Sequence, residues 1–263
     1  MAKFRMSRLA VVLILFLLQA GASRGDTLLP TQVVHRASVL PKVDGVLSED
    51  EWRDAAILEG FQPATNACGV SLAGKKTRVR LLWSPAFLYV AFEYEDADVY
   101  CTGTLGNDAE LYKEDVCEVF LDGVGDGRQF IELQVSPAGA HFDNLFVYSC
   151  EVESGEDGRI LPHLIATQRW SFPEWSMKGL ETAAGRTEDG WCAELAIPAP
   201  DIVKRKGEKQ FSAGGTIRAN FVRYDHEPAA DGGRSLIQQS WVPVLLGNPH
   251  NSPARMGALR LLP

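Results

Sequence analysis

Residues 110–139 read ELYKEDVCEVFLDGVGDGRQFIELQVSPAG, two short strands joined by a glycine-rich turn. An acidic approach carrying one aromatic, Tyr112, enters a strand that begins at Val116 and ends at Asp122. A second strand follows from Gln129 to Ser136 and stops at Pro137-Ala138-Gly139. Strand side chains alternate between faces, so Val116, Glu118 and Phe120 point one way and Cys117, Val119 and Leu121 the other. Glu118 therefore stands among apolar neighbours, where a carboxylate costs free energy unless a partner or ligand satisfies it.

The same strand grammar extends outward in both directions. Upstream, Thr77 to Trp83 alternates, Ser84-Pro85 supplies turn chemistry, and Phe87 to Tyr94 is a nearly continuous apolar run suited to a central strand. An acidic loop then leads to Tyr112. Further back, residues 31–43 read as a strand before the Asp44-Gly45 turn. Ser48 followed by Glu51 has capping-box spacing and predicts a short helix carrying Trp52. Downstream, strands are expected within 137–150, over 163–169, from Gly190 to Pro198, Thr216 to Tyr224, Ser235 to Leu245 and Gly257 to Leu262. A charged Gly-rich tip lies between 151 and 162, a short helix runs through Ile202 and Val203, and Asp225-His226-Glu227 reads as a polar loop. Many short strands, few helices and frequent Gly/Pro turns describe one all-β domain, an antiparallel sandwich or barrel.

Composition bounds the rest. Lys3, Arg5 and Arg8, the apolar run Leu9 to Leu18, and Ala20-Gly21-Ala22 have the layout of a secretory signal peptide over residues 1–25. Its removal takes away four basic residues and moves the net charge from −8 to about −12 over residues 26–263. Such a chain is a poor partner for nucleic acid or anionic membrane. No later stretch is long and apolar enough to insert in a bilayer, so a secreted or periplasmic protein is expected. Five cysteines is an odd number, so at least one is free or intermolecular. Cys117 and Cys192, within strands, read as buried small hydrophobes. Cys68, Cys101 and Cys150, near loops, are the candidates for bridging.

No nucleophile elbow, zinc-protease helix, P-loop or dinucleotide fingerprint is present, so an enzyme is not expected. Glu118 and Glu132 could form an acid/base couple, but strand glutamates on adjacent strands more often belong to buried charge pairs, here with Arg80 or Arg223. His141 with Asp143 shares a strand face. Asp96 with Asp98, and Asp122 with Asp126, offer loop oxygens to a calcium ion, ordinary turn chemistry being the plainer account. Trp83 and Trp191 lie in alternating strands and read as core. Tyr112, beside its acidic neighbours, belongs at a surface site, where an aromatic next to a fixed carboxylate suits a sugar ring.

The order of motifs carries a resemblance. Val43-Asp44-Gly45 with Leu47, Glu51 and Trp52 comes first, then Leu81-Leu82-Trp83 and the run from Phe87 to Phe92. Glu114-Asp115-Val116 leads to Glu118 and Asp122; Phe130 and Glu132 lead to Ser136-Pro137 and Gly139. Later come Gly190-Trp191 with Glu194 and Ile197-Pro198, then Arg218, Asn220-Phe221 and Arg223. Trp241, Pro243, Pro253 and Arg255-Met256-Gly257 close the series. Together they resemble the family 9 carbohydrate-binding modules and their DOMON-type relatives.

The resemblance implies a single-domain antiparallel β-sandwich, two packed immunoglobulin-like sheets with a few short helices, that binds the end of an oligo- or polysaccharide. It also implies structural calcium, and a terminal sugar held between two tryptophans. Tyr112 stands where the first tryptophan lies, and Glu118 where the family has a sugar-contacting glutamate. The loop expected to carry the second reads GNPHNSPARMG, with His250 as the nearest substitute and Asn248 as a hydroxyl partner. Glu132 and Arg223 complete the expected ligand set. Two other readings stay open: a haem or redox DOMON-type domain using Met177, Met256 and histidines, or an adhesion sandwich with no sugar ligand.

Overall fold

The computed structural model describes residues 29–64, 75–148, 169–244, 250 and 252–263. Their strands, in chain order, are β1 (Thr31–His35), β2 (Ala56–Leu58), β3 (Gln62–Pro63), β4 (Thr77–Trp83), β5 (Phe87–Glu95), β6 (Val116–Asp122) and β7 (Gln129–Val135). Then follow β8 (His141–Tyr148), β9 (Arg169–Phe172), β10 (Glu181–Arg186), β11 (Gly190–Pro198), β12 (Thr216–Pro228), β13 (Arg234–Ser240) and β14 (Gly257–Leu262). One short helix, α1 (Ala199–Val203), follows β11. The expected signal peptide, Cys68, Cys150, Asn248, the charged tip and residues 163–168 lie outside the described residues. No helix among the described residues is long and apolar enough to cross a membrane.

Two sheets form a sandwich. The larger has the order β1-β14-β12-β6-β7-β8-β9, with β13 on β12 and β3 on β13; the smaller runs β10-β11-β5-β4-β2. β12 is long enough to pair with β6 along one edge while its other edge passes from β14 to β13. Among the described residues the strands pair antiparallel except β1 with β14, which is parallel, and an isolated parallel bridge joins Arg36 to Trp83.

Alternation sorts the side chains into three apolar layers. Between the sheets, Val119, Leu121, Ile131 and Leu133 meet Leu81, Phe92, Leu195 and Ile197. On the outer face of the larger sheet Val116, Phe120, Phe130, Phe146 and Val222 form a second layer, covered by Leu111 and Met256. On the outer face of the smaller sheet Trp52 packs with Leu82, Tyr89 and Ala196. All of β6 is consequently buried, which is unusual for an alternating strand and means that something covers its outer side.

Trp52 docks on the sheet as expected, but not from a helix. Residues 48–55 form turns, with Glu51 and Trp52 N–H groups both donating to the Ser48 carbonyl. Glu194 of β11 holds this segment on the sheet. Its Oε1 accepts from the Trp52 indole N–H at 3.0 Å, and its Oε2 accepts from the backbone N–H groups of Asp44 (3.1 Å) and Gly45 (2.8 Å). Three donors satisfy one buried carboxylate and fix the N-terminal segment on the sheet. The approach is close: a Cβ on Gly185 would lie 2.1 Å from the Gly45 carbonyl oxygen.

Two other expectations need correction. The strand expected over 31–43 is confined to β1. Asp225-His226-Glu227 is not a loop but the end of β12, where buried Asp225 is neutralised by Lys75 (2.9 Å) and Arg223 (3.0 Å). Cys117 and Cys192 are buried free thiols, as expected, and Cys101 is a half-buried free thiol. Burial pushes the thiol of Cys192 up to about 11, so it stays protonated at neutral pH.

Candidate functional site

The register of the larger sheet builds the floor of a site. Glu118 on β6 lies opposite Gln134 on β7, which lies opposite Phe142 on β8. In the next row Phe120, Glu132 and Asn144 stand side by side. Glu118, Glu132, Gln134, Phe142 and Asn144 line a cavity of about 540 Å³ on the outer face, with Tyr112, Phe146, Tyr224 and His250 among its walls. The chain from Asp108 to Tyr112 flanks it on one side and Arg169 to Pro173 on another.

Each wall residue has a local reason for its place. Tyr112 sits in a 3-10 turn, Leu111–Lys113, pinned by buried Leu111, which leaves the phenol ring 44% exposed. Its hydroxyl donates to Glu110 Oε1 at 2.5 Å, and Lys113 also holds Glu110. His250 is wedged edge-on against Phe120 (5.1 Å between centroids) and Phe146 (5.4 Å), while the Tyr148 hydroxyl donates to its carbonyl. Its Nε2 is 2.6 Å from Glu132 Oε1. Asn144 braces β9 by donating to Ser171 Oγ (2.8 Å) and accepting from Phe172 N–H (3.0 Å).

The floor is short of positive charge. Gln134 Nε2 donates to both Glu118 Oε1 (3.0 Å) and Glu132 Oε1 (2.8 Å). Glu118 Oε2 and Gln134 Oε1 are buried with no hydrogen-bond partner. Burial pushes the Glu118 carboxyl well above the ordinary carboxylate range, and the Glu132 charge pushes it further. The Tyr224 hydroxyl is raised by burial and then by the same two glutamates. Neither expected arginine serves this pair, because Arg80 is engaged by Glu93 (2.6 Å) and Glu49 (2.9 Å) on the smaller sheet.

Of the expected ligand set, Tyr112, Glu118, Glu132 and His250 converge on the cavity. Arg223 does not, and its assignment is corrected. Val222 and Tyr224 face outward on β12, so Arg223 faces inward, opposite Cys117. There it meets Asp96 (3.2 Å) and Asp225 (3.0 Å), donates to the Glu95 carbonyl (3.0 Å) and lies over the Tyr94 ring (4.8 Å). Gln134, Asn144, Phe146 and Tyr224 were not anticipated. Gln134 was legible, since it follows Glu132 by one alternation; the others depend on strand register.

The loop carboxylates Asp96, Asp98, Asp122 and Asp126, and the acidic groups near them, are engaged by protein partners. Asp96, Asp115 and Asp225 lie together, with Arg223 and Lys75 bringing two positive charges to the three carboxylates. Both Asp115 oxygens accept backbone N–H groups, from Tyr100 (2.6 Å) and His226 (2.7 Å). Asp98 pairs with Arg234 (2.6 Å), Asp126 with Arg205 (2.5 Å), and Asp122 accepts N–H groups from Val124, Gly125 and Gly127 in its own turn. Asp143 is likewise committed, accepting from the Met177 N–H. Met177 and Met256, considered for haem, are packed in the inter-sheet and outer clusters.

The family described as carbohydrate family 9 binding domain-like matches residues 43–262. A family 9 carbohydrate-binding module from Caldicellulosiruptor kristjanssonii, solved with cellotriose, superposes with a TM-score of 0.58 at 16% identity, covering 88% of this chain and 93% of that one. A structure of a family 9 module from the same organism with glucose gives 0.56 at 14% identity, covering 87% and 95%. A protein from Bacteroides uniformis gives 0.64 at 13% identity, covering 88% and 99%. Among curated proteins there is no significant match.

Proposed function

The chain belongs to the carbohydrate family 9 binding domain-like family, and from that premise we propose that it is an exported, non-catalytic protein that binds the end of a glycan chain in the outer-face cavity. The observation that carries this reading is the convergence of Tyr112, Glu118, Glu132 and His250 on that one cavity of about 540 Å³. The half-exposed Tyr112 ring offers a flat face for the apolar side of a sugar. The floor offers carboxylate and amide groups to its hydroxyls. A depression closed below by the sheet favours a chain terminus over a segment that continues in both directions. The family 9 modules solved in complex with cellotriose and with glucose support a sugar ligand.

Titration of the purified protein against a panel of glycans, by calorimetry, is the direct test. Tyr112→Ala should weaken the observed binding about tenfold, the equivalent of ~1–1.5 kcal/mol for one aromatic contact. Its exposure means that stability should hardly change. Unchanged affinity would remove Tyr112 from the site, and release of reducing ends during the titration would contradict a non-catalytic role. Export has its own check: the protein recovered from outside the cytoplasm should have a mass lacking residues 1–25, and an intact N-terminus there would overturn cleavage.

A further inference from the structure

We propose that the sugar unit taken by this cavity carries a protonated amine, seated as an ammonium among Glu118, Glu132 and Gln134. The inference rests on the carbohydrate-binding reading and deepens it. Its basis is a count of donors and acceptors on the floor. Gln134 spends its amide N–H groups on Glu118 and Glu132, and His250 Nε2 faces Glu132. The groups left over are Gln134 Oε1, an acceptor, and Glu118 Oε2, an acceptor once its carboxyl ionises; both are buried, and both are on residues that line the cavity. Glu118 is fully buried, and among the described residues no cation pairs with it.

A sugar hydroxyl brings one donor together with lone pairs that would face these oxygens. An ammonium brings three donors, no acceptor and the missing positive charge. Charge-assisted hydrogen bonds of this kind are the strong ones. Aromatic walls suit an organic cation, which is stabilised over a ring face, as Arg169 is over Phe146 at 5.1 Å. The charged and titratable groups around Glu118 are Glu132, His250 and Tyr224, with Asp108, Glu110 and Arg169 on the surrounding walls. Acidic groups outnumber basic ones in that set. Seating the ammonium favours the ionised form of Glu118, so a proton held by the carboxylate pair leaves to solvent as the ligand binds.

The test is calorimetry on the full mature chain with three trisaccharides: β-1,4-linked glucosamine, its N-acetylated counterpart and cellotriose. The expected result is that the glucosamine trimer binds about tenfold or more tightly than either neutral sugar. Its apparent enthalpy should vary with the ionisation enthalpy of the buffer, showing proton release. Affinity should rise with pH until the ligand amine loses its own charge, and Glu118→Gln should erase the preference. Equal or tighter binding of cellotriose or the N-acetylated trimer overturns the inference while leaving the sugar-binding reading in place. No binding by any of the three overturns the inference, and no binding across the whole glycan panel overturns the sugar-binding reading as well. Tight binding of Zn²⁺ or Ca²⁺ alone, lost in Glu118→Gln and without any amine preference, overturns it by assigning the spare acceptors to a metal.

Discussion

Replacing Arg223 by methionine is expected to lower the free energy of unfolding by about 3–5 kcal/mol, the usual cost of breaking a buried ion pair on one side. Sugar affinity should stay within about twofold, because the Arg223 side chain lies on the inner face of the sheet and does not line the cavity. The guanidinium is buried with Asp96 and Asp225 at 3.2 and 3.0 Å, and those carboxylates are themselves buried. Methionine fills similar volume, so the effect isolates charge. Lys75 remains to hold Asp225, but Asp96 keeps only the N–H of Asp98 at 3.0 Å. The deficit should depend on pH in a definite direction. Burial already raises the Asp96 carboxyl above its ordinary value, against the lowering influence of Arg223. Without Arg223 that carboxyl rises further, so the folded variant binds its proton over a wider range than the unfolded chain does. The penalty is therefore largest at pH 8 and shrinks as pH falls and the carboxyl protonates in both states. Urea unfolding at pH 5 and pH 8, with a glycan titration of the same samples, decides the matter. A loss below ~1 kcal/mol would show that the cluster is not held by Arg223; weaker sugar binding by a well-folded variant would return Arg223 to the site.

Arg223 also shows where sequence reading stops. The strand around it is obvious from its alternation, and alternation states that Val222 and Tyr224 share one face while Arg223 takes the other. It does not state which face is which. That depends on pairing with β6, where Val222 meets Glu118 and Arg223 meets Cys117, a contact about a hundred residues away in the chain. Glu118 was readable for the opposite reason: Val116 and Phe120 flank it on its own strand, so its apolar setting is local. Glu132 and Gln134 are equally local. His250 was placed by motif order, but its seat between Phe120 and Phe146 could not be seen without the sheet. Residues 48–55 form turns where a capping signal worth about 1 kcal/mol predicts a helix, and the carboxylate that holds Trp52 there, Glu194, is distant in the chain. Asp225-His226-Glu227 looked like a loop because its charge is visible in sequence and its neutralising partners, Lys75 and Arg223, are not.

Glu118→Gln should stabilise the protein at neutral pH while weakening its ligand binding. In the fold the Glu118 carboxyl is raised well above its ordinary value by burial and by Glu132, whereas in the unfolded chain it titrates near 4.3. Between those two values the native state holds a proton that the unfolded state has released, so stability falls as pH rises through the window. Glutamine cannot ionise, has nearly the same shape, and offers an N–H₂ where the shared proton stood, within reach of the neighbouring acceptors. The variant and the parent should therefore be equally stable near pH 4. Their difference should open with pH to about 1–3 kcal/mol at pH 8, the range expected for relieving a buried, unpaired acceptor. At ~2–4 °C per kcal/mol for a chain of this size, that is a rise in Tm of about 2–12 °C. Thermal unfolding of both proteins from pH 4 to pH 8 measures it. A gain that does not grow with pH would mean that Glu118 is not the titrating group; a loss of stability at every pH would make it a structural residue whose carboxylate the fold needs. The opposed effects on Tm and on affinity separate those cases. A carboxylate kept for packing or pairing is missed by the fold when it is removed, whereas one kept for a ligand burdens the empty protein and is missed only by the ligand.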